Sequence, residues 1–171
     1  MARQTASSAR RKADAPGKSS LELYREGRAP PAIMLTIGLV LAGRRWRSLL
    51  DERLRPTGQT SARMETLSAI LNSPPLSPQV DIARRLRIEG PTLTRMIDAL
   101  EKDRLVERVP DPADRRTRQL RVTEEGEAVL EEIFDIADEM RERLLEGFDE
   151  SEIEEVNRVL RKLIGRLDAG L

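Results

Sequence analysis

A mainly α-helical fold carrying one small β-hairpin is what this chain predicts, on three observations. Apolar residues recur at spacings of three and four over most of the sequence from Ala32 to Leu167, which is the period of a helix with one buried face. Aromatic residues make up 2% of the 171 positions and β-branched runs are scarce, so extended sheet has little to build on. One stretch departs from this. From Val106 to Thr123, two short runs, Val106 to Val109 and Gln119 to Thr123, flank a turn-rich, arginine-rich tip, the pattern of a hairpin.

Composition narrows the chemistry. The chain has no cysteine and no histidine, which removes disulfides, Ser-His and Cys-His nucleophilic pairs and the usual zinc ligands. No glycine-rich nucleotide loop occurs, so no catalytic residue, metal ligand or cofactor is assigned and an enzyme is not expected. The longest apolar run, Ala32 to Gly43, is interrupted by Thr36 and is shorter than the roughly 20 residues of a membrane span. With no secretory signal pattern at its start, the protein reads as cytoplasmic. Its zero net charge conceals an uneven distribution: residues 1–75 hold 13 Lys/Arg against 6 Asp/Glu, 76–123 hold 11 against 8, and 124–171 hold 6 against 16. A basic front and an acidic back are expected to meet an anionic partner on one side only.

Taken in order, residues 1–30 show no sustained apolar period and read as a basic, disordered tail. A long helix from about Ala32 to Leu54 follows, preceded by Pro30-Pro31, stopped by Pro56 and Gly58, and apolar nearly all round in its first half. Such a helix needs cover on every side, and a second subunit is the expected cover. Residues 31–57 are therefore assigned to dimerisation.

Thr60 is expected to cap a second helix reaching Leu71, with Met64, Leu67 and Leu71 on one face. After a Pro74-Pro75 loop, Ser77 is expected to cap a short helix with Pro78 in its first turn and Val80, Ala83 and Leu86 inward. Ile88-Glu89-Gly90 turns the chain. The next helix opens with Pro91 and buries Leu93, Met96, Ile97 and Leu100, leaving Thr92, Arg95, Ala99 and Lys102 on its other face. Two short helices joined by a tight glycine-containing turn, then a basic hairpin, is the order of a winged helix-turn-helix, here spanning 58–123.

Beyond the hairpin, Thr123 caps a helix with Leu130, Ile133, Ala137, Met140 and Leu144 in one stripe, ended by Gly147. Asp149 and Glu152 form a capping-box pattern ahead of a last helix striped by Ile153, Val156, Leu160, Leu163 and Leu167. An intramolecular antiparallel pair would account for either stripe alone. Together with the first long helix it leaves too much apolar surface, so 124–171 is expected to complete the dimerisation region of a homodimer.

The site candidates lie on the helix opened by Pro91 and on the hairpin. A helix N-terminus turns free N–H groups and a positive dipole end toward phosphate, and Arg95, one turn in, has the reach for a guanine edge. Thr92 and Thr94 suit either a phosphate or a thymine methyl. For any single arginine of the tip, a solvated surface charge is an equally good account.

The helix order, the Pro91-Thr92-Leu93-Thr94-Arg95 opening and the Asp114-Arg115-Arg116 tip followed by Leu120-x-Val122-Thr123-x-x-Gly126 closely resemble the MarR/SlyA family of dimeric transcriptional regulators. The resemblance runs from about Ile33 to Leu167. Its most specific parts are Ile88-Glu89-Gly90-Pro91-Thr92-Leu93, Leu105-Val106-Glu107-Arg108 and Asp111-Pro112-x-Asp114-Arg115-Arg116. It implies a double-stranded DNA operator as partner, with Pro91, Thr92, Thr94 and Arg95 at the major groove. By the same pattern Arg116 enters the minor groove, Asp114 orients it, and Arg115 and Arg118 contact phosphates. A repressor released by a small aromatic carboxylate or acyl-CoA effector is the implied function, with Arg44, Trp46, Thr60, Arg63 and Met64 where the effector pocket would lie. Those five also read plainly, Trp46 as core and Arg44, Arg45 and Arg47 as a solvated or DNA-facing stripe. The alternative function is a winged-helix dimer that serves protein assembly and does not read DNA.

Overall fold

The structure, a computed structural model, describes residues 18–75, 77–110 and 118–170. Seven helices and a two-stranded antiparallel sheet occur among the described residues, in the order α1 Ser20–Arg25, α2 Pro31–Leu54, α3 Ser61–Leu71, α4 Gln79–Leu86, α5 Gly90–Lys102, β1 Val106–Pro110, β2 Arg118–Val122, α6 Glu124–Leu144 and α7 Glu150–Asp168. The mainly helical class with a small hairpin is thus observed. The chain divides into two compact units inside α2, residues 1–46 and 47–171.

In the first unit, the expected tail ends in structure. Ser19 and Glu22 form a capping box that starts α1, a feature too short to register as apolar periodicity. The first seventeen residues, where most of the tail was expected, lie outside the described ones. Along α2, Met34, Leu35, Leu39, Val40 and Leu41 are between 42% and 60% exposed. No described helix is long and apolar enough to cross a membrane.

The second unit holds two joined cores. Leu67, Ile70, Ile82, Leu93, Ile97, Leu100, Leu105, Val106, Leu120, Val122 and Leu130 bury the inner faces of α3, α4, α5 and the hairpin against the start of α6. Leu50 and Leu54, at the end of α2, pack with Ile133 and Ala137 of α6, and Met64 borders both clusters. The α2 to α3 connection is a single 3-10 turn, Arg55–Thr57, closed by Gly58 in the left-handed region at φ 72°. Asp51 reaches across it to accept the Ser61 backbone N–H at 2.6 Å, satisfying one of the free donors that open α3.

Three inward faces differ from the sequence expectation by one or two residues. Ile70 fills the α3 face and Leu71 is 48% exposed; Ile82 is fully buried and Val80 is 61% exposed; Met96 is half-buried. A helix turning 100° per residue brings neighbours of a chosen stripe nearly as close to the core, and the hairpin decides which of them is covered. Ser77 does not cap α4. Its Oγ donates to the Pro74 carbonyl at 2.7 Å and its own carbonyl accepts the Leu120 N–H at 3.2 Å, while Pro78 stands at the N-cap and bridges to Gln119. The segment expected to start a helix is therefore drawn to the edge of β2, where it covers unpaired backbone groups.

The remaining caps are local and follow the residues. Thr60 Oγ1 accepts the Arg63 N–H, Thr123 Oγ1 accepts the Gly126 N–H, and Asp149 with Glu152 forms the capping box of α7. No residue of α7 is buried, and Val156, Ile164 and Leu167 are 54–57% exposed.

Candidate nucleic-acid interface

Between α4 and α5 the chain turns at Arg87, which ends α4 in the left-handed region at φ 55° with its N–H on the carbonyls of Ala83 and Arg84. Glu89 is the N-cap of α5, and Gly90 and Pro91 occupy its first turn, where the missing proline N–H leaves no helical bond unmade. Leu93, Ile97 and Leu100 anchor α5 from below at zero exposure. Their spacing forces Pro91, Thr92, Thr94 and Arg95 outward, and all four are exposed. Arg95 makes no hydrogen bond or ion pair among the described residues, so its guanidinium stands ready for an outside acceptor.

Thr94 is not free in this way. Its Oγ1 donates to the Gly90 carbonyl at 3.0 Å and accepts the Gln79 side-chain N–H at 2.7 Å, a contact from the first residue of α4 to the start of the second turn of α5.

The hairpin shares the buried core of α5, and Arg108 adds a polar tie between them. On β1, opposite Leu120, Arg108 lies with its side chain 19% exposed and bonds Asp98 at 2.5 Å and Glu101, both from the outer side of α5. Burial works against the guanidinium charge, but the bonds and charges of Asp98 and Glu101 outweigh it and hold Arg108 above its ordinary range. Across the two strands Glu107 pairs with Arg121. At the hairpin base, the Leu105 carbonyl accepts the Thr123 N–H at 3.1 Å and Thr123 Oγ1 meets the Arg104 carbonyl at 2.6 Å. Asp114, Arg115 and Arg116, at the tip, lie outside the described residues, and Arg118 opens β2.

Of the five effector candidates, Arg44 is exposed and Trp46 half-buried on α2, within the first unit. The structure groups Thr60, Arg63 and Met64 at the start of α3 in the second. Thr60 caps that helix, Met64 packs on both cores, and the Arg63 guanidinium donates to Gln59 at 2.8 Å and to Asp103 at 2.7 Å. Arg47 is paired with Glu65 at 2.8 Å.

Sequence reasoning missed Gln79 and Arg108 as parts of this face. Arg108 stood in the Leu105-Val106-Glu107-Arg108 motif without a role, and the signal for its role was the pairing of Asp98 and Glu101 three residues apart on the polar side of a helix, which invites a cation from a neighbouring element.

A model of the MarR family matches residues 60–117. Among solved structures, the chain is similar to the transcriptional regulator PA3341, with 32% identity over 79% of this chain and 98% of that one and a TM-score of 0.70. It is also similar to a mutant MarR from E. coli complexed with operator DNA, at 26% identity, 77% and 94% coverage and a TM-score of 0.69. A complex of S. aureus MepR with DNA is similar at 25% identity, 77% and 96% coverage and a TM-score of 0.68.

Proposed function

Because the chain belongs to the MarR family of winged-helix transcriptional regulators, we propose that it acts as a homodimeric repressor of a pseudo-palindromic DNA operator, released by a small anionic aromatic compound or its CoA thioester. The observation that carries the DNA-binding part is the outward edge of α5, where Thr92 and the unpaired Arg95 stand exposed on a helix held from beneath by three fully buried side chains. In this reading α5 enters the major groove. Arg116 enters the minor groove, oriented by Asp114, with Arg115 and Arg118 on phosphates. The DNA complexes among the similar structures support this use of the face.

Uncovered apolar surface supports the homodimer. Five large apolar residues of α2 and three of α7 are more than 40% exposed in the single chain, an amount of apolar surface that soluble proteins cover with a partner. Two-fold symmetry then sets the half-sites one helical turn apart, roughly 34 Å.

The effector would meet Thr60, Arg63 and Met64, which stand together at the start of α3. Arg63 gives this a mechanism. Its present partner, Asp103, is the C-cap of α5, so a ligand carboxylate that takes over Arg63 also releases the end of the helix that reads DNA.

The test is a binding titration of the full chain against duplex DNA enriched from a random pool, repeated at several salt concentrations. Affinity should fall steeply as salt rises, as phosphate neutralisation demands. Failure to enrich any duplex, or binding indifferent to salt, would leave an assembly module as the better reading.

A further inference from the structure

Thr94 sits where either of two chemistries would serve a DNA reader, a hydroxyl for phosphate or a methyl for a base, and its hydrogen bonds decide between them. A threonine hydroxyl has one proton. Here that proton is given to the Gly90 carbonyl at 3.0 Å, and Gln79 donates into the oxygen at 2.7 Å. Nothing is left to donate to a phosphate oxygen. What this exposed residue has left to offer is its Cγ2 methyl.

The surroundings favour the same chemistry. Thr94 shares a groove with Val80 and Ala83 of α4, and Val80 is 61% exposed although it was expected in the core. Two charged residues border that groove. Arg84 is already paired with Asp81 at 2.8 Å, and Glu89 adds a carboxylate. With Arg84 engaged by Asp81, the groove's lining offers a phosphate no free cation and sets the Glu89 carboxylate beside it, whereas an uncharged methyl would meet the Val80 side chain and the Thr94 methyl.

We infer that Val80 and the Thr94 methyl form a notch that takes the C5-methyl group of a thymine in the major groove, with Gln79 as the positioning residue that turns the Thr94 hydroxyl away from DNA. The notch rests on the DNA-reading function proposed above and adds a specificity determinant to it. In B-DNA the thymine methyl projects into the major groove, so an apolar notch distinguishes it from the other bases.

The experiment uses the full chain and a duplex enriched from a random pool, with each thymine replaced in turn by deoxyuridine, which lacks only the C5 methyl. One position per half-site should bind about fourfold more weakly, the worth of one buried methyl group. Thr94→Ser, which keeps the hydroxyl and loses the methyl, should bind both duplexes alike. Thr94→Val, which keeps the methyl and loses the hydroxyl, should retain the thymine preference, with any loss shared equally by the two duplexes. Val80→Ala should shrink the preference, and thermal melts of each variant check that the fold persists. Two outcomes overturn the notch: indifference to deoxyuridine at every position, or full affinity in Thr94→Ser alongside lost preference in Thr94→Val. If no duplex is enriched at all, DNA reading itself fails and the notch with it, an outcome distinct from enriched DNA that ignores the methyl.

Discussion

Arg63, on the first turn of α3, holds Asp103, the C-cap of α5, at 2.7 Å across forty residues of sequence. The arginine side chain is 19% exposed and the aspartate 50%, so solvent screens the pair and its contribution to stability is at most about 1 kcal/mol. A contact this weak can be exchanged. If an aromatic carboxylate competes for Arg63, Asp103→Ala should tighten effector binding and Arg63→Ala should abolish it. The measurement is the melting shift produced by a panel of aromatic acids and acyl-CoA thioesters. Equal shifts in wild type and both variants would remove Arg63 from the effector site.

Gly126 is required by close approach. A Cβ built there would lie 2.1 Å from the Leu105 carbonyl oxygen and 2.7 Å from Val122 Cγ1. The first obstacle is backbone, and that same carbonyl accepts the Thr123 N–H, so it has little room to retreat. Gly126→Ala is expected to destabilise the chain by roughly 1–3 kcal/mol, the usual cost of overpacking, and to loosen the hairpin base from α6. Thermal melting and amide exchange at Val122 and Thr123 would check it; an unchanged melt would show that the junction yields.

Arg95 and Arg116 should fail differently. Arg95→Ala is expected to cost roughly 1–3 kcal/mol of operator affinity and to relax preference at one base position per half-site. Arg116→Ala should weaken operator binding by at least about 1 kcal/mol, the size of a specific groove contact. Competition titrations against a library of single-base variants separate the two. Unchanged affinity together with an unchanged salt slope in Arg116→Ala would sink the minor-groove role.

Association is testable without harming the single chain. Val156 is 57% exposed and no residue of α7 is buried, so the carboxylate of Val156→Glu keeps its water in an isolated chain. In a dimer that covers α7 it would bury a charge. Sedimentation should show dimeric wild type and a monomeric or much weaker dimeric variant, with helicity retained. A wild type that sediments as a monomer at micromolar concentration would count against the homodimer.

Much of this molecule is written locally. Thr60, Thr123 and the Asp149/Glu152 pair start their helices in the structure as their positions predict, because a cap needs only a side chain and the N–H groups two or three residues ahead. The alternation around Val106 and Leu120 likewise determines the hairpin, and the order of elements determines the family.

Tertiary structure decided the partners. Ile82 lies inside and Val80 outside because α5 and the hairpin cover one side of α4, and Ser77 joins the edge of β2 for the same reason. Which chemistry Thr94 offers depends on Gln79, fifteen residues away, and the polar tie between hairpin and α5 depends on Arg108 reaching Asp98 and Glu101. Periodicity and capping act within a turn of helix, so a sequence displays them directly. Hydroxyl orientation, ion-pair choice and a glycine beneath a carbonyl are set by groups that only folding brings together.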